Sequence, residues 1–350
     1  MPRGHKRMLT ALFQLGTGSI ASSAAPHVER PDKLWTECSA GGEQEAMYHY
    51  ILCGLKVESD LPFPELTPWQ GPDDYPFDIE FRLGPVQQLW DPAEKGVKFQ
   101  VGGPDRIVFH IESAGRIEIE GGRRVTFDAF EGADEDRIRI EFIGTTQSML
   151  WYQRGYLPLH ASALLVGNRA VGIGAHSHSG KSVIAAALAK RGCPLVADDM
   201  MVLDFSRTPL LVLPGYQKLR LWQDACEQFG LMGDTIANAH FRPGKFIVNT
   251  YAAPAEMPVP LTDIFILSGQ RLDSFVAEPL GRVQAVQYLL AATHMFDAAR
   301  ALNRQKQVFS GINAVAANAR VWRATAPDGL NHALDAADAI VELTSSAPRP

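Results

Sequence analysis

The chain has 350 residues, 46% hydrophobic and 21% charged, with a formal net charge of -6. That composition suits one large soluble domain or two modest ones with ample buried core. The acidic balance, without a long Lys/Arg run, gives no reason to expect nucleic acid as the main partner, and no apolar run reaches the roughly 18 residues that a membrane-spanning helix needs.

Residues 1–46 lack a hydrophobic period and read as a tail, either a disordered leader or an over-extended start. The basic opening Pro2-Arg3-Gly4-His5-Lys6-Arg7 before residues 9–13 has the outline of a secretory signal, but Gln14, Gly16, Thr17, Gly18 and Ser19 interrupt its apolar core. Cys38, Cys53, Cys193 and Cys226 are widely spaced and form no CxxC pair. They offer neither a zinc site nor a disulfide framework and read as buried thiols in a reducing cytosol.

From 47 to 143 the texture is β-like. Runs 77–81, 97–101, 106–112, 116–120, 123–127 and 137–142 alternate apolar and polar residues, and the last is the cleanest alternation. Gly121-Gly122 marks a hairpin turn. This predicts a mainly antiparallel N-terminal domain over 47–143, able to hold a substrate. Met149, Leu150 and Tyr152 at helical spacing predict a linking helix, placed at 144–156. A nucleotide core is expected at about 157–267, one helix over 281–302, then short strands from Val308 and a helix around 331–343, with 345–350 fraying.

Residues 171–199 read VGIGAHSHSGKSVIAAALAKRGCPLVADD. A short strand enters a loop ending Gly180-Lys181-Ser182, an alanine-rich helix follows, and a second strand ends at Asp198-Asp199. Backbone N–H groups of such a loop wrap phosphates, and the helix that follows points its positive end at them. Ser177, His178, Ser179, Gly180, Lys181, Ser182 and Val183 are therefore the predicted nucleotide contacts, with Lys181 on the outer phosphates and the Ser182 hydroxyl on Mg²⁺. Ala175 stands where the common loop pattern has glycine, so the turn must use ordinary φ/ψ there. His176 and His178 could touch phosphate or be plain exposed loop histidines.

Gly167-Asn168 is a two-residue hairpin signature. Pairing Val166 with Arg169 and counting outward sets Ala163 opposite Gly172 and His160 opposite Ala175, beside the phosphates. Asp198 and Asp199 end a buried strand, where α/β folds place functional residues. Successive strand residues face opposite ways, so one carboxylate could contact Mg²⁺ and the other accept a proton. Asp199 is the predicted metal contact with Ser182, and Asp198, Asp199, His160 and Lys181 are the predicted catalytic set. Lys218 and Arg220 could neutralise transferring phosphate, although a solvated strand face would also carry them; Lys245 is a weaker candidate of the same kind.

Leu159-His160-Ala161-Ser162-Ala163, the hairpin, the loop SHSGKS and residues 191–199 (RGCPLVADD) resemble the catalytic domain of HPr kinase/phosphorylase, a bacterial serine kinase that shares its nucleotide fold with ATP-dependent phosphoenolpyruvate carboxykinases. The resemblance spans about 157–204. It implies an α/β fold with a P-loop core of that type over 157–345, ATP in the loop, His160 near the transferred phosphate, and Asp198/Asp199 as base and metal contact. The family has glycines at the positions of Ala175 and His178, and its later glutamate-arginine-glycine segment has no counterpart in 213–222. That segment and 50–62 look more like HPr-kinase-related proteins, some of which phosphorylate precursor peptides in lasso-peptide tailoring. The resemblance implies ATP and Mg²⁺ as cofactors, transfer to a serine of a precursor peptide or HPr-like protein, room for a homo-oligomer, no nucleic-acid or membrane partner, and a cytoplasmic location. The alternatives are a non-catalytic ATP-binding regulatory module and a small-molecule kinase.

Overall fold

Alternating sequence after Met47 folds into β1 (Tyr48–Leu52), β2 (Leu55–Ser59), β3 (Thr67–Pro68), β4 (Ile79–Leu83), β5 (Phe99–Gly103), β6 (Arg106–Ile111), β7 (Gly115–Glu120) and β8 (Arg124–Ala129). The computed structural model describes residues 47–72, 75–87, 99–112, 114–133, 135–175, 180–238, 244–327 and 329–346, so the expected tail over 1–46 lies outside the described residues. The strands form one eight-stranded sheet in the order β3-β1-β2-β4-β8-β7-β6-β5. It is mainly antiparallel, but β4 runs parallel to both β2 and β8. Gly121 and Gly122 both have positive φ in the β7–β8 connection, as the hairpin signature requires.

The clean alternation at 137–142 is not a strand. Residues Glu135–Glu141 form α1, followed by a π-helical turn, Phe142–Thr146, and α2, Gln147–Gln153. Ile138 and Phe142 are fully buried while Ile140 is only half-buried, so the burial follows helical spacing. A run of six alternating residues fits both periods, and the packing decides. Phe142 closes an aromatic cluster with Phe63, Phe81 and Phe127 at centroid separations of 4.8–6.2 Å. Each such buried ring contributes about 1.5–3 kcal/mol, enough to hold the helix under the sheet.

The second half is a mixed α/β layer. Its strands are β9 (Leu157–Leu159), β10 (Ala161–Val166), β11 (Arg169–Ala175), β12 (Leu195–Ala197), β13 (Met201–Asp204) and β14 (Leu211–Leu213). A small separate sheet holds β15 (Leu219–Trp222), β16 (Thr235–Asn238) and β17 (Lys245–Val248), in the order β15-β17-β16. The strands β18 (Val259–Leu272), β19 (Val276–Pro279) and β20 (Arg320–Pro327) complete the larger one. Its order is β12-β10-β11-β18-β14-β13-β9, with β20 joined to β18 and β19 to β20. At its heart β11, β18 and β20 run parallel.

The helices are α3 (Lys181–Lys190), α4 (Gln223–Phe229), α5 (Arg282–Ala291), α6 (Phe296–Ala301), α7 (Gln305–Asn318) and α8 (Ala333–Ser346). Ile184, Leu188 and four alanines of α3 are all buried. The small side chains let α3 lie closely between the sheet and α8, where Arg191 Nε donates to Asp338 Oδ1 at 2.7 Å. The helix expected over 281–302 is broken at 292–295, where Thr293 bridges to Leu159, His294 N donates to Pro158 O and Met295 takes φ +48°. The region from Val308 begins as helix rather than strand, since Val308, Ile312 and Val315 bury one face of α7. Among the described residues no helix is long and apolar enough to cross a membrane.

Candidate functional site

Three segments converge at one end of the parallel strands. The first is the β10–β11 hairpin, whose ladder pairs Val166 with Arg169, Ala163 with Gly172 and Ala161 with Gly174. This is the register counted from Gly167-Asn168; the ladder ends at Ala161 and Gly174, one residue short of His160 and Ala175, and His160 N donates instead to Ala292 O. The second is the start of α3. Gly180 holds φ +89°, and its carbonyl accepts from Ile184 N at 3.0 Å. The N–H groups of the first turn, which includes Lys181, Ser182 and Val183, have no partner within the helix and add to its positive pole.

The third segment follows β12, and here the structure departs from the alternation argument. The strand ends at Ala197, Asp198 N donates to Tyr216 O at 2.6 Å, and Asp199 takes φ +64°. That turn folds both carboxylates the same way instead of opposing them. Lys181 Nζ lies 3.7 Å from Asp198 Oδ1 and 3.2 Å from Asp199 Oδ1. A non-glycine residue in the left-handed region costs about 1 kcal/mol or more, and the ion pairs offset it.

The two aspartates differ in environment. Asp198 is 1% exposed, accepts from Ser162 Oγ at 2.5 Å and from Arg220 N at 3.3 Å. The Asp199 side chain is 28% exposed, with Arg220 Nη1 3.4 Å from its Oδ2. Burial alone would raise the Asp199 carboxyl, but Lys181, Arg220 and His160 hold it far below the usual carboxylate range. Burial likewise opposes charge on Lys181, and Asp198 and Asp199 more than restore it, raising its ammonium above the ordinary value. His160 Nδ1 meets Asp199 O at 3.1 Å. A carbonyl oxygen only accepts, so Nδ1 carries the hydrogen and Nε2 the lone pair. Burial, then the Lys181 charge, lowers the His160 imidazole below its usual value.

Arg220 is supported from two sides. Its guanidinium lies 5.1 Å from the Tyr216 ring centroid, and a Cβ added at Gly144 in the π-helical turn would stand 3.3 Å from its Nη1. π-Helical turns recur beside functional sites, and this one delivers the side-chain-free residue that Arg220 needs. Lys218 turns elsewhere, with Nζ donating to Asn249 Oδ1 at 2.6 Å. Lys245 pairs with Trp222 across β15–β17 and lies 6.0 Å from its ring centroid. Ser182 and Val183 are half-buried in the first turn of α3; His176, Ser177, His178 and Ser179 lie outside the described residues.

Sequence reasoning did not single out Ser162, Tyr216, Gly144 or His294. Ser162 was within reach, because it sits two residues after His160 and shares its strand face. His294 carried no local signal; its ring centroid lies 5.8 Å from that of His160 only because the 292–294 segment folds back on β9.

No family model matches the chain, and no curated protein is similar to it. Among solved structures it is similar to the Hpr(Ser) kinase/phosphatase from Coxiella burnetii, at 16% identity over 54% of this chain and 90% of that chain, with a TM-score of 0.29.

Proposed function

We propose that the chain is an ATP- and Mg²⁺-dependent kinase that transfers the γ-phosphate to a serine hydroxyl of a small protein or peptide. One observation carries the reading: a lysine at the head of α3 sits between two adjacent carboxylates, one buried and one open, with an arginine on the open one. Phosphate at the start of α3 would be met by the first-turn N–H groups and would draw Lys181 to its oxygens.

The donor set fits Mg²⁺. Among the described residues no group of three or more His, Cys, Asp or Glu side chains could hold a metal unaided, and Mg²⁺ with phosphates needs only one or two protein oxygens. Ser182 Oγ and the Asp199 carboxylate would hold it, and the ion would supply neutralisation of phosphate charge.

The chain's own residues then divide the work. Asp198, sealed by Ser162 and the Arg220 N–H, anchors the turn. Asp199 orients the serine hydroxyl and takes its proton as the serine oxygen bonds to the γ-phosphorus and the bond from phosphorus to the β-phosphate oxygen breaks. Moving Lys181 onto phosphate frees the Asp199 carboxylate for the serine hydroxyl, and a Mg²⁺ held there would take over as the cation that keeps it a weak base. Arg220 offers a second cation for the transferring group, and His160 backs Asp199 through its main-chain carbonyl. The eight-stranded N-terminal sheet is the proposed holder of the protein or peptide, and the ATP requirement places the reaction in the cytoplasm.

A second reading is an ATP-occupied switch without transfer. Arg220 favours it, because a cation stands on Asp199 in the stretch where the resembling family supplies a further metal ligand. Incubating the full chain with γ-labelled ATP, Mg²⁺ and serine-containing peptides separates the two. Label on serine supports the kinase, whereas ATP binding with no labelled acceptor leaves the switch.

A further inference from the structure

Among the described residues His160 has one side-chain hydrogen bond, from Nδ1 to the Asp199 carbonyl, with Asp199 Oδ1 3.6 Å from the same nitrogen. A single bond leaves an imidazole free to pivot about it, yet the geometry derived above needs the ring held with Nε2 on the opposite edge. The second restraint is the ring of His294, 5.8 Å away between centroids and inclined by 57°.

The backbone fixes His294 there with unusual thoroughness. His160 N donates to Ala292 O at 2.7 Å, His294 N donates to Pro158 O at 3.1 Å, and Leu159 bridges to Thr293. Tyr152 Oη donates to His294 O from α2, and the chain turns away at Met295 with φ +48°. Residues 158–160 and 292–294 therefore act as a short paired ribbon, and the two imidazoles come from its facing strands. His294 Nδ1 is buried without a hydrogen-bond partner among the described residues. The imidazole also feels the Gly144 backbone of the π-helical turn, and its hold on His160 is by ring contact.

We propose that His294 is a positioning residue of the transfer site: its ring packs against His160 and keeps the His160 Nδ1–H on the Asp199 carbonyl, which in turn keeps the left-handed Asp199 turn closed on Lys181. The inference rests on the kinase reading for its catalytic consequence, while the ring contact itself does not depend on that reading. Burial, with His160 close by, lowers the His294 imidazole to about 4; a neutral ring can sit against His160 without repelling it.

The test uses the full-length protein with ¹⁵N-labelled histidine, and His160→Gln to assign the His160 signals. Near neutral pH, wild type and His294→Phe should both show His160 as the single Nδ1–H tautomer, because phenylalanine retains the ring contact. His294→Ala should show a mixture of tautomers. In the same samples supplied with MgATP and a serine-containing peptide, ADP formation should fall about tenfold in turnover for His294→Ala, with KM for MgATP changed less than about twofold, and His294→Phe should recover to within about threefold of wild type, since loose placement of a supporting shell acts on the chemical step. An unchanged His160 tautomer in His294→Ala overturns the proposal. If that variant does not fold, loss of the Nδ1–H tautomer in His294→Phe overturns it instead. Wild-type protein that binds MgATP but forms no ADP with serine-containing peptides present defeats the kinase reading and the catalytic consequence together, and the tautomer result still decides the ring contact.

Discussion

Lys181 Nζ lies 3.2 Å from Asp199 Oδ1, while Arg220 Nη1 approaches the other oxygen of that carboxylate at 3.4 Å. Two cations share one half-open carboxylate, and an arriving phosphate must compete with Asp199 for Lys181. The lysine is thereby parked within reach of its ligand, and its release as the donor binds frees the carboxylate beside the acceptor.

Lys181→Met removes the shared cation. Affinity for MgATP should fall at least tenfold by titration calorimetry, roughly the loss of one charge-assisted contact of about 1.5–3 kcal/mol. Stability should also fall, by about 2 kcal/mol in urea, because Asp198 keeps a buried charge without its ammonium. Unchanged ATP affinity would contradict the role assigned to Lys181.

Asp198 and Asp199 should separate in mutagenesis. Asp198→Asn forces an amide against the Arg220 N–H or the Ser162 hydroxyl and should cost about 1–3 kcal/mol of stability. Asp199→Asn should lose less stability and about a hundredfold or more of the turnover. Equal stability losses for the two variants, read from urea midpoints, would show that the division into anchor and reacting group is wrong.

Gly144→Ala tests the floor under Arg220. The added Cβ would stand 3.3 Å from Nη1, tight enough to push the flexible guanidinium off Asp199 while leaving the fold intact. Turnover should fall severalfold, with a change in melting temperature of only a few degrees, the size expected for about 1 kcal/mol. Full activity would mean that Arg220 does not act through its contact with Asp199.

The legible parts of this site were those written in local sequence. The Gly167-Asn168 turn set the β10–β11 register and so the place of His160, and the helix after Gly180 fixed Lys181. What escaped depended on packing. Alternation at 137–142 fits strand and helix alike until Ile138 and Phe142 find the aromatic cluster, and facing directions for Asp198 and Asp199 fail once the chain leaves the strand. His294 and Gly144 reach the site only through tertiary contacts, which no periodicity encodes. The break at 292–295 was likewise invisible, because it is made by pairing with β9.

Acidification should weaken the fold through His294. Its folded value of about 4 lies below the ordinary 6.5, so between these pH values the unfolded chain binds the extra proton. Stability is then intact above about pH 6.5 and falls as pH drops toward about 4, by up to about 3 kcal/mol. Urea unfolding at pH values across that window should show the decline, and His294→Phe should lessen it, leaving the part that His160 contributes in the same direction. An equally steep decline in both proteins would contradict the assignment to His294.

The central claim is transfer of phosphate from ATP to a serine hydroxyl through Asp199, and mass spectrometry of the acceptor alongside ADP release tests it most directly. Wild-type protein with MgATP and a serine-containing peptide should form phosphoserine in step with ADP, and Asp199→Asn should bind MgATP yet form neither. ADP without phosphoserine, or equal phosphorylation by the variant, would contradict the account.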